Sequence, residues 1–269
     1  MTYSQLYAYA KSRLTDYEAM CIAEDIFDLD RVGLAVHGNE IPASESEFLT
    51  AVEKRAKGIP LQYATGKAYF MGREYFVGEG VLIPRDDTEV AVNECMKLMA
   101  GHERVIDLCS GSGIIAVTLA KEFPEAEIYA VELESKAFVY LEKNVKYHGA
   151  NVNLVHDDIF NENCVEGEFD VIISNPPYIC RNIIPDLQSE VRYEPKTALD
   201  GGDDGLDFYR CIADKWLKKL KQGGKIILEI GEEQAESVSN LLKVQGITKI
   251  SVVKDIQDLD RVVFGTMKK

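Results

Sequence analysis

"RVIDLCSGSGIIAVTLAKEF", residues 104–123, decides the fold. Its first part is apolar and β-branched and carries an acid, Asp107, near its end. Gly111 and Gly113 then make a turn, and "GIIAVTLAKEF" continues with the apolar spacing of a helix. Strand, glycine turn and helix form the opening unit of an open α/β sheet, whose ligands bind beyond the carboxyl ends of the strands. Glycine adopts positive φ freely and lets backbone approach a ligand closely.

The same alternation extends toward the C-terminus. "EIYAVEL" is a second strand of this series, followed by the helix "SKAFVYLEKNVKYHG"; "VNLVHDD" is the third strand and "FDVIISN" the fourth. "FYRCIADKWLKKLKQGG" reads as a helix stopped by glycines, "KIILEIG" as the fifth strand and "EEQAESVSNLLKVQG" as the next helix. "KISVVKD" and "RVVFGTM" close the chain as two more strands. The pattern predicts an α/β fold, a Rossmann-like sheet of about seven strands with helices on both faces. No helix separates the last two strands, which leaves an antiparallel course open to the final one.

Toward the N-terminus the character changes twice. Residues 1–60 have helical periodicity, with Leu6, Tyr7, Ala10 and Leu14 in one stretch and Met20, Ala23, Ile26 and Phe27 in another. "PASESEFLTAVEKRAKG" reads as a capped helix ended by Gly58. Residues 61–84, with "AYFMGREYFVGEGVLIP", read as a β-hairpin and an extended linker. A helix is expected to start after Pro84, with Asp86, Asp87 and Glu89 near its N-terminal end. The expected division is a helical substrate-docking domain over 1–60, the hairpin and linker over 61–84, and the α/β domain over 85–269.

Composition narrows the partners. The chain has 269 residues, a net charge of -15 and a pI of about 4.8, which argues against a broad grip on phosphates and so against direct nucleic-acid binding. Six irregularly spaced cysteines and four histidines without paired-ligand spacing give no disulfide framework and no metal site. No apolar signal core and no run of about 18 apolar residues occurs, so no membrane association and a cytoplasmic location are expected.

Acids stand at the ends of three successive strands: Asp107, Glu132, and Asp157 or Asp158 with Ile159 after it. Together with the glycine turn they predict a nucleotide-type pocket, with Glu132 accepting from ribose hydroxyls and the Asp157–Ile159 segment near an adenine edge. A plain glycine turn joining strand to helix is the blander alternative. "GSGIIA" also fits a dinucleotide site, in which the helix N-terminus would face a pyrophosphate. The loop leaves dinucleotide and S-adenosylmethionine open; the fourth strand discriminates.

That strand runs into Asn175-Pro176-Pro177-Tyr178. Each proline fixes its own φ and holds the preceding residue extended, so the segment is stiff. The Asn175 side chain and the Pro176 carbonyl offer two acceptors at fixed separation, suited to the two hydrogens of a planar NH₂, and Tyr178 offers a flat face. Holding both hydrogens favours sp³ character at nitrogen and aims its lone pair. Given an electrophilic methyl at that point, transfer needs orientation and dipole placement and no strong base beforehand. A proline-rich turn closing a buried strand is the competing explanation.

"NPPY" at 175–178 with "DLCSGSG" at 107–113 resembles the class I S-adenosylmethionine-dependent methyltransferases of amide and amino nitrogens. The wider pattern resembles the release factor glutamine methyltransferases, through "LIPRDDTE" at 82–89, "SNPPYI" at 174–179, "EVRYEPKTALDGGDDGLDFYR" at 190–210, "LEIG" at 228–231 and "DLDRVV" at 258–263. The resemblance implies a substrate, the side-chain amide of the Gly-Gly-Gln glutamine of peptide chain release factors, methylated on N5. It implies S-adenosylmethionine as methyl donor, S-adenosylhomocysteine as product, and no metal. Carried over by position, Asn175 and Pro176 hold the amide while Pro177 and Tyr178 shape the slot. Cys109, Ser110, Gly111, Ser112, Gly113, Glu132, Asp158, Ile159 and Asn175, with Asp107 at the strand end, would surround the cofactor. Two positions depart from the family pattern: Asp86 replaces a usual proline, and Ile159 stands where a tryptophan sometimes covers the adenine.

Two other substrates carry the same primary NH₂ chemistry: a ribosomal protein glutamine, and the N6 of adenine in DNA, flipped onto a similar clamp. The acidic charge and the short helical unit disfavour the DNA reading, and "LEIG" and "DLDRVV" favour the release factor one. Trp216 is expected as a core residue, the aromatics at 69–76 as hairpin packing, and "DGGDDGLD" at 200–207 as a solvated acidic loop or, less simply, a docking loop for a basic partner.

Overall fold

The computed structural model describes residues 1–269. The N-terminal part holds α1 (Tyr3–Lys11), α2 (Asp16–Phe27), α3 (Arg31–His37), α4 (Glu45–Ala56) and α5 (Leu61–Thr65). Thr2 with Gln5 and Thr15 with Glu18 form capping boxes, each satisfying two of the free N–H groups at the starts of α1 and α2. The helices bury their own core around Leu6, Ala10, Ile22, Phe48 and Val52, with Phe27 stacked on Phe48 at 4.5 Å. Helix therefore runs to Thr65, five residues into the stretch expected as hairpin and linker.

The hairpin itself is β1 (Lys67–Phe70) paired antiparallel with β2 (Arg73–Phe76). Met71 and Gly72 turn it with φ of +48° and +72°, the two positive values that a tight two-residue hairpin requires. Phe70 and Tyr75 are buried in the core of the following domain, so these aromatics join hairpin to sheet.

The α/β part contains α6 (Thr88–Leu98), β3 (Arg104–Leu108), α7 (Ile114–Glu122), β4 (Glu127–Glu132), α8 (Ser135–His148), β5 (Val152–His156) and β6 (Phe169–Ser174). It continues with α9 (Asp207–Lys215), β7 (Leu220–Glu229), α10 (Ala235–Val244), β8 (Ile247–Lys254) and β9 (Asp260–Met267). The seven strands lie in the order β5-β4-β3-β6-β7-β9-β8, and β9 alone runs against its neighbours. The chain leaves β3 toward β4 and β5, then returns to lay β6 and β7 on the other side, which makes the carboxyl end of β3 the switch point where a crevice opens. Ile106, Leu108, Ile172 and Leu228 bury one sheet face against Trp216 and the α9–α10 side. Val105, Val171, Ile173 and Ile227 bury the other against residues of α6 and α7.

Two helix boundaries differ from the sequence expectation. The helix after Pro84 begins at Thr88, and Arg85–Asp87 form a turn ahead of it. The helix expected to end at Gly223-Gly224 ends at Lys215, followed by one 3-10 turn over Trp216–Lys219. Both glycines lie instead inside β7, where the register with β6 jumps from Phe169↔Leu220 to Val171↔Lys225. A Cβ on Gly224 would stand 2.8 Å from the Lys221 carbonyl oxygen and 3.0 Å from that of Asp170, so the glycine serves a strand irregularity and not a helix stop.

Candidate active site

The loop after β3 is held in a strained shape. Cys109 has φ of +63°, unusual for a residue with a side chain, and Gly111 and Gly113 have φ of +56° and +84°. The Ser110 N–H donates to the Val131 carbonyl at 3.0 Å, tying the loop to β4. A Cβ on Gly113 would come within 2.4 Å of Leu141 Cδ1, so Gly113 lets α7 pack on α8. Asn144 of α8, fully buried, donates to the Ser112 carbonyl at 2.8 Å and pairs with the backbone of Phe76, linking this loop to the hairpin.

Glu132 ends β4 beside the loop. Its Oε2 accepts from the Gly111 N–H at 2.8 Å and its Oε1 from the Glu134 N–H at 2.7 Å. Burial pushes its carboxyl up, and those backbone donors pull the other way. Two fixed donors behind the carboxylate leave its remaining lone pairs directed into the crevice, which suits a vicinal diol.

The crevice is a cleft of about 880 Å³. Cys109, Ser110, Gly111, Ser112, Glu132 and Asp158 line it, as do Ile159, Asn175 and Pro177. The structure thus brings Asp158, and not Asp157, to the cleft wall. Asp107 and Gly113 do not line it: Asp107 lies wholly buried beneath the loop, and Gly113 acts through helix packing. Ile159 is 4% exposed, and its carbonyl accepts from Trp216 Nε1 at 2.8 Å, so the expected core tryptophan supports the cleft floor from behind.

A smaller cavity of about 420 Å³ adjoins it, lined by Pro176, Tyr178, Ile179, Leu82 and Arg85 among others. Asn175 and Arg85 line both cavities. Asn175 Nδ2 donates to Thr88 Oγ1 at 3.0 Å, while its Oδ1 and the Pro176 carbonyl accept no hydrogen bond within the chain. Tyr178 is half-buried, and burial pushes its hydroxyl up to about 12, with the nearby Glu229 adding to the shift.

Two segments that carry the family resemblance, 82–89 and 190–210, complete the walls through contacts that the sequence does not display. Arg85 pairs with the buried Glu194, whose Oε2 also accepts from the Ile83 N–H at 3.0 Å, so the linker and the 190–198 segment are latched over the site. The 200–207 loop is not merely solvated: Ile179 and Asp200 form a bridge, the Gly201 N–H donates to the Ile179 carbonyl at 2.9 Å, and Gln234 Nε2 donates to the Tyr178 carbonyl at 3.0 Å. The acids of this loop pair within the chain, Asp200 and Asp203 with Arg181 and Asp204 with Arg210. The three glycines among those acids were the available signal for close backbone approach.

No group of three or more His, Cys, Asp or Glu side chains is placed to hold a metal ion. No helix is long and apolar enough to cross a membrane.

Comparison with known proteins gives the family and the fold. Residues 87–186 match the family model of the methyltransferase small domain, and residues 5–66 match that of the PrmC N-terminal domain. The chain is 42% identical over 241 residues to the release factor glutamine methyltransferase of Geobacter sulfurreducens, covering 88% of this chain and 84% of that one. It is 39% identical over 253 residues to that of Thermodesulfovibrio yellowstonii, covering 91% and 90%. Among solved structures, a methyltransferase from Pyrococcus furiosus superposes with a TM-score of 0.55 at 18% identity, covering 84% of this chain and 98% of that one, a likeness of fold.

Proposed function

The chain belongs to the release factor glutamine methyltransferases, and from that premise we propose how its residues perform the transfer. The acceptor is the side-chain amide nitrogen, N5, of the Gly-Gly-Gln glutamine in the exposed loop of a peptide chain release factor, and the donor is S-adenosylmethionine. One observation carries the reading: Asn175 lines both the large cleft and the small cavity, Pro176 lines the small one, and the Asn175 Oδ1 and the Pro176 carbonyl are acceptors that the chain itself leaves unclaimed. A work site in the cytoplasm follows from such a substrate.

The residues present fit the donor. Glu132, braced by two backbone amides, would hold the ribose hydroxyls; Asp158 and Ile159 would hold the base and Cys109–Ser112 the methionine portion. When bound, S-adenosylmethionine supplies a methyl group made electrophilic by its sulfonium. A cleft mostly apolar in surface with a few polar groups among its lining is the usual form of a cofactor site.

The chain's own residues do the rest. Asn175 Oδ1 and the Pro176 carbonyl each accept a hydrogen bond from one amide hydrogen of the glutamine, which raises electron density on the nitrogen, favours the sp³ character that develops there and aims its lone pair at the methyl group. Tyr178 and Pro177 confine the carboxamide plane. Catalysis of this kind rests on orientation and fixed dipoles, with the proton leaving after transfer. Arg85 and Glu194 latch the wall above the slot. The helical N-terminal domain, residues 1–60, would dock the release factor, and the salt link of Arg55 to both Glu18 and Glu190 joins it to the segment beside the slot.

The test is transfer of tritiated methyl from S-adenosylmethionine to purified release factor. Label is expected in the intact factor and absent when the Gly-Gly-Gln glutamine is replaced by alanine. Undiminished labelling of the alanine form would end the assignment.

A further inference from the structure

Asn175 can serve as an acceptor only if its carboxamide points the right way. The two ends of that group have nearly the same shape. Turned by half a rotation, it would present NH₂ to the substrate NH₂, donor against donor.

Thr88, the first residue of α6, is 1% exposed, and its Oγ1 accepts from Asn175 Nδ2 at 3.0 Å. Glu229 ends β7 abreast of Asn175, since Ser174 pairs with Leu228 one step earlier. Ile173 and Ile227 face the α6 side of the sheet, so the two-residue period of the strands puts Asn175 and Glu229 on that side as well. Glu229 is 1% exposed, and its Oε2 has no hydrogen-bond partner. Thr88 and this carboxylate thus stand on the same side of the sheet, both beside Asn175. Arg261, Arg85, Asp87, Tyr178 and Tyr209 are the other charged or titratable groups facing it.

We propose that Glu229 and Thr88 form a relay that sets the direction of the Asn175 carboxamide, with Thr88 as a positioning residue for methyl transfer. An ionised carboxylate only accepts hydrogen bonds, so above about pH 7, the value to which burial pushes Glu229, it takes the Thr88 hydroxyl hydrogen. Thr88 Oγ1 then offers lone pairs alone toward Asn175 and accepts from Nδ2. The Asn175 Oδ1 is left facing the slot. A threonine without the carboxylate behind it could donate to Asn175 as readily as accept, and the clamp would lose its polarity. The inference rests on the clamp reading given above, and deepens it.

The experiment compares the full-length wild type with Thr88→Val, Thr88→Ser and, as a control on the clamp, Asn175→Ala, measuring kcat and both KM values with purified release factor. Valine matches the shape of threonine and removes the hydroxyl. Thr88→Val is expected to lower kcat at least about 10-fold, as lost orientation does, while KM for S-adenosylmethionine stays within about two-fold. Thr88→Ser, which returns the hydroxyl, is expected within about three-fold of wild type. Asn175→Ala is expected to lose at least about 100-fold in kcat, the scale of a lost preorganised dipole. Wild-type kcat in Thr88→Val with an inactive Asn175→Ala overturns the relay and leaves the clamp standing. An active Asn175→Ala overturns both. A Thr88→Val defect that is not rescued by serine, or that appears mainly as a raised cofactor KM, overturns the relay by assigning Thr88 to packing of the cleft.

Discussion

Gly205 lies so close to Tyr178 that a Cβ on it would stand 2.4 Å from the Tyr178 carbonyl oxygen. Gly205 also has φ of +73°, and Gly201 beside it would bring a Cβ to 2.8 Å from Tyr178 Cα. The loop is therefore moulded on the backbone of the 175–178 segment, and Gln234 ties the two by donating to both the Tyr178 and Gly205 carbonyls. A stiff proline pair needs such a brace, because stiffness along the chain does not fix its place relative to the sheet.

Gly205→Ala is expected to displace Tyr178 and to strain the loop. The expected loss of stability is about 2 kcal/mol, the usual size for a side chain forced into a glycine conformation with a backbone clash. Methyl transfer should fall at least about 10-fold, since misplacing the slot costs orientation. Thermal melting and a transfer assay check both, and a variant that matches wild type in each would show that the loop is no brace.

Trp216 supports the cleft from its far side. Its Nε1 donates to the Ile159 carbonyl at 2.8 Å, and both residues are buried. Trp216→Phe keeps much of the apolar volume and removes the donor, leaving that carbonyl with only the weak Cys211 thiol contact at 3.4 Å. The expected cost is about 1–3 kcal/mol for a buried acceptor stripped of its partner. Because Ile159 lines the cleft, affinity for S-adenosylmethionine should weaken with it. Calorimetric titration of the variant checks this; unchanged affinity would separate Trp216 from the site.

The parts of the site that were legible in the sequence share one property: they stand at strand ends. Glu132, Asp158 and Asn175 follow apolar runs, and the carboxyl ends of such strands open on the crevice; the glycine turn after β3 declares its backbone demands directly. Thr88, Glu194 and Gln234 were not legible. They meet Asn175, Ile83 and Tyr178 across separations of 87, 111 and 56 residues, and no local pattern encodes such encounters. Residues 200–207 misled because their acids dominate the composition, whereas Gly201 and Gly205 make the contacts that matter. Gly223 and Gly224 misled for a related reason: glycine marks a helix end and a strand irregularity alike, and the choice depends on how closely Asp170 approaches.

Asp107 makes the stability of the ligand-free protein depend on pH. Its carboxyl is wholly buried and neither oxygen has a hydrogen-bond partner. The Ser110 hydroxyl and the Ala116 N–H lean toward it, but the hydroxyl is spent on the Asp107 carbonyl at 3.0 Å. Burial pushes the carboxyl up to about 8, and the neighbouring Glu132 adds to the shift. Burial likewise pushes Glu229 up to about 7. A carboxyl raised on folding binds its proton more tightly in the native state, so stability is greatest at the acid end of the window and falls as pH rises from the ordinary carboxylate range through the raised value. Between pH 5 and 8 the wild-type melting temperature should therefore fall. Asp107→Asn, which is neutral throughout, should flatten that slope, whose limit for one group is about 1.4 kcal/mol per pH unit. Near pH 8 the variant should be the more stable of the two. Parallel melting curves for the two proteins across this range would mean that Asp107 titrates at its ordinary value, with a charge satisfied beneath the loop after all.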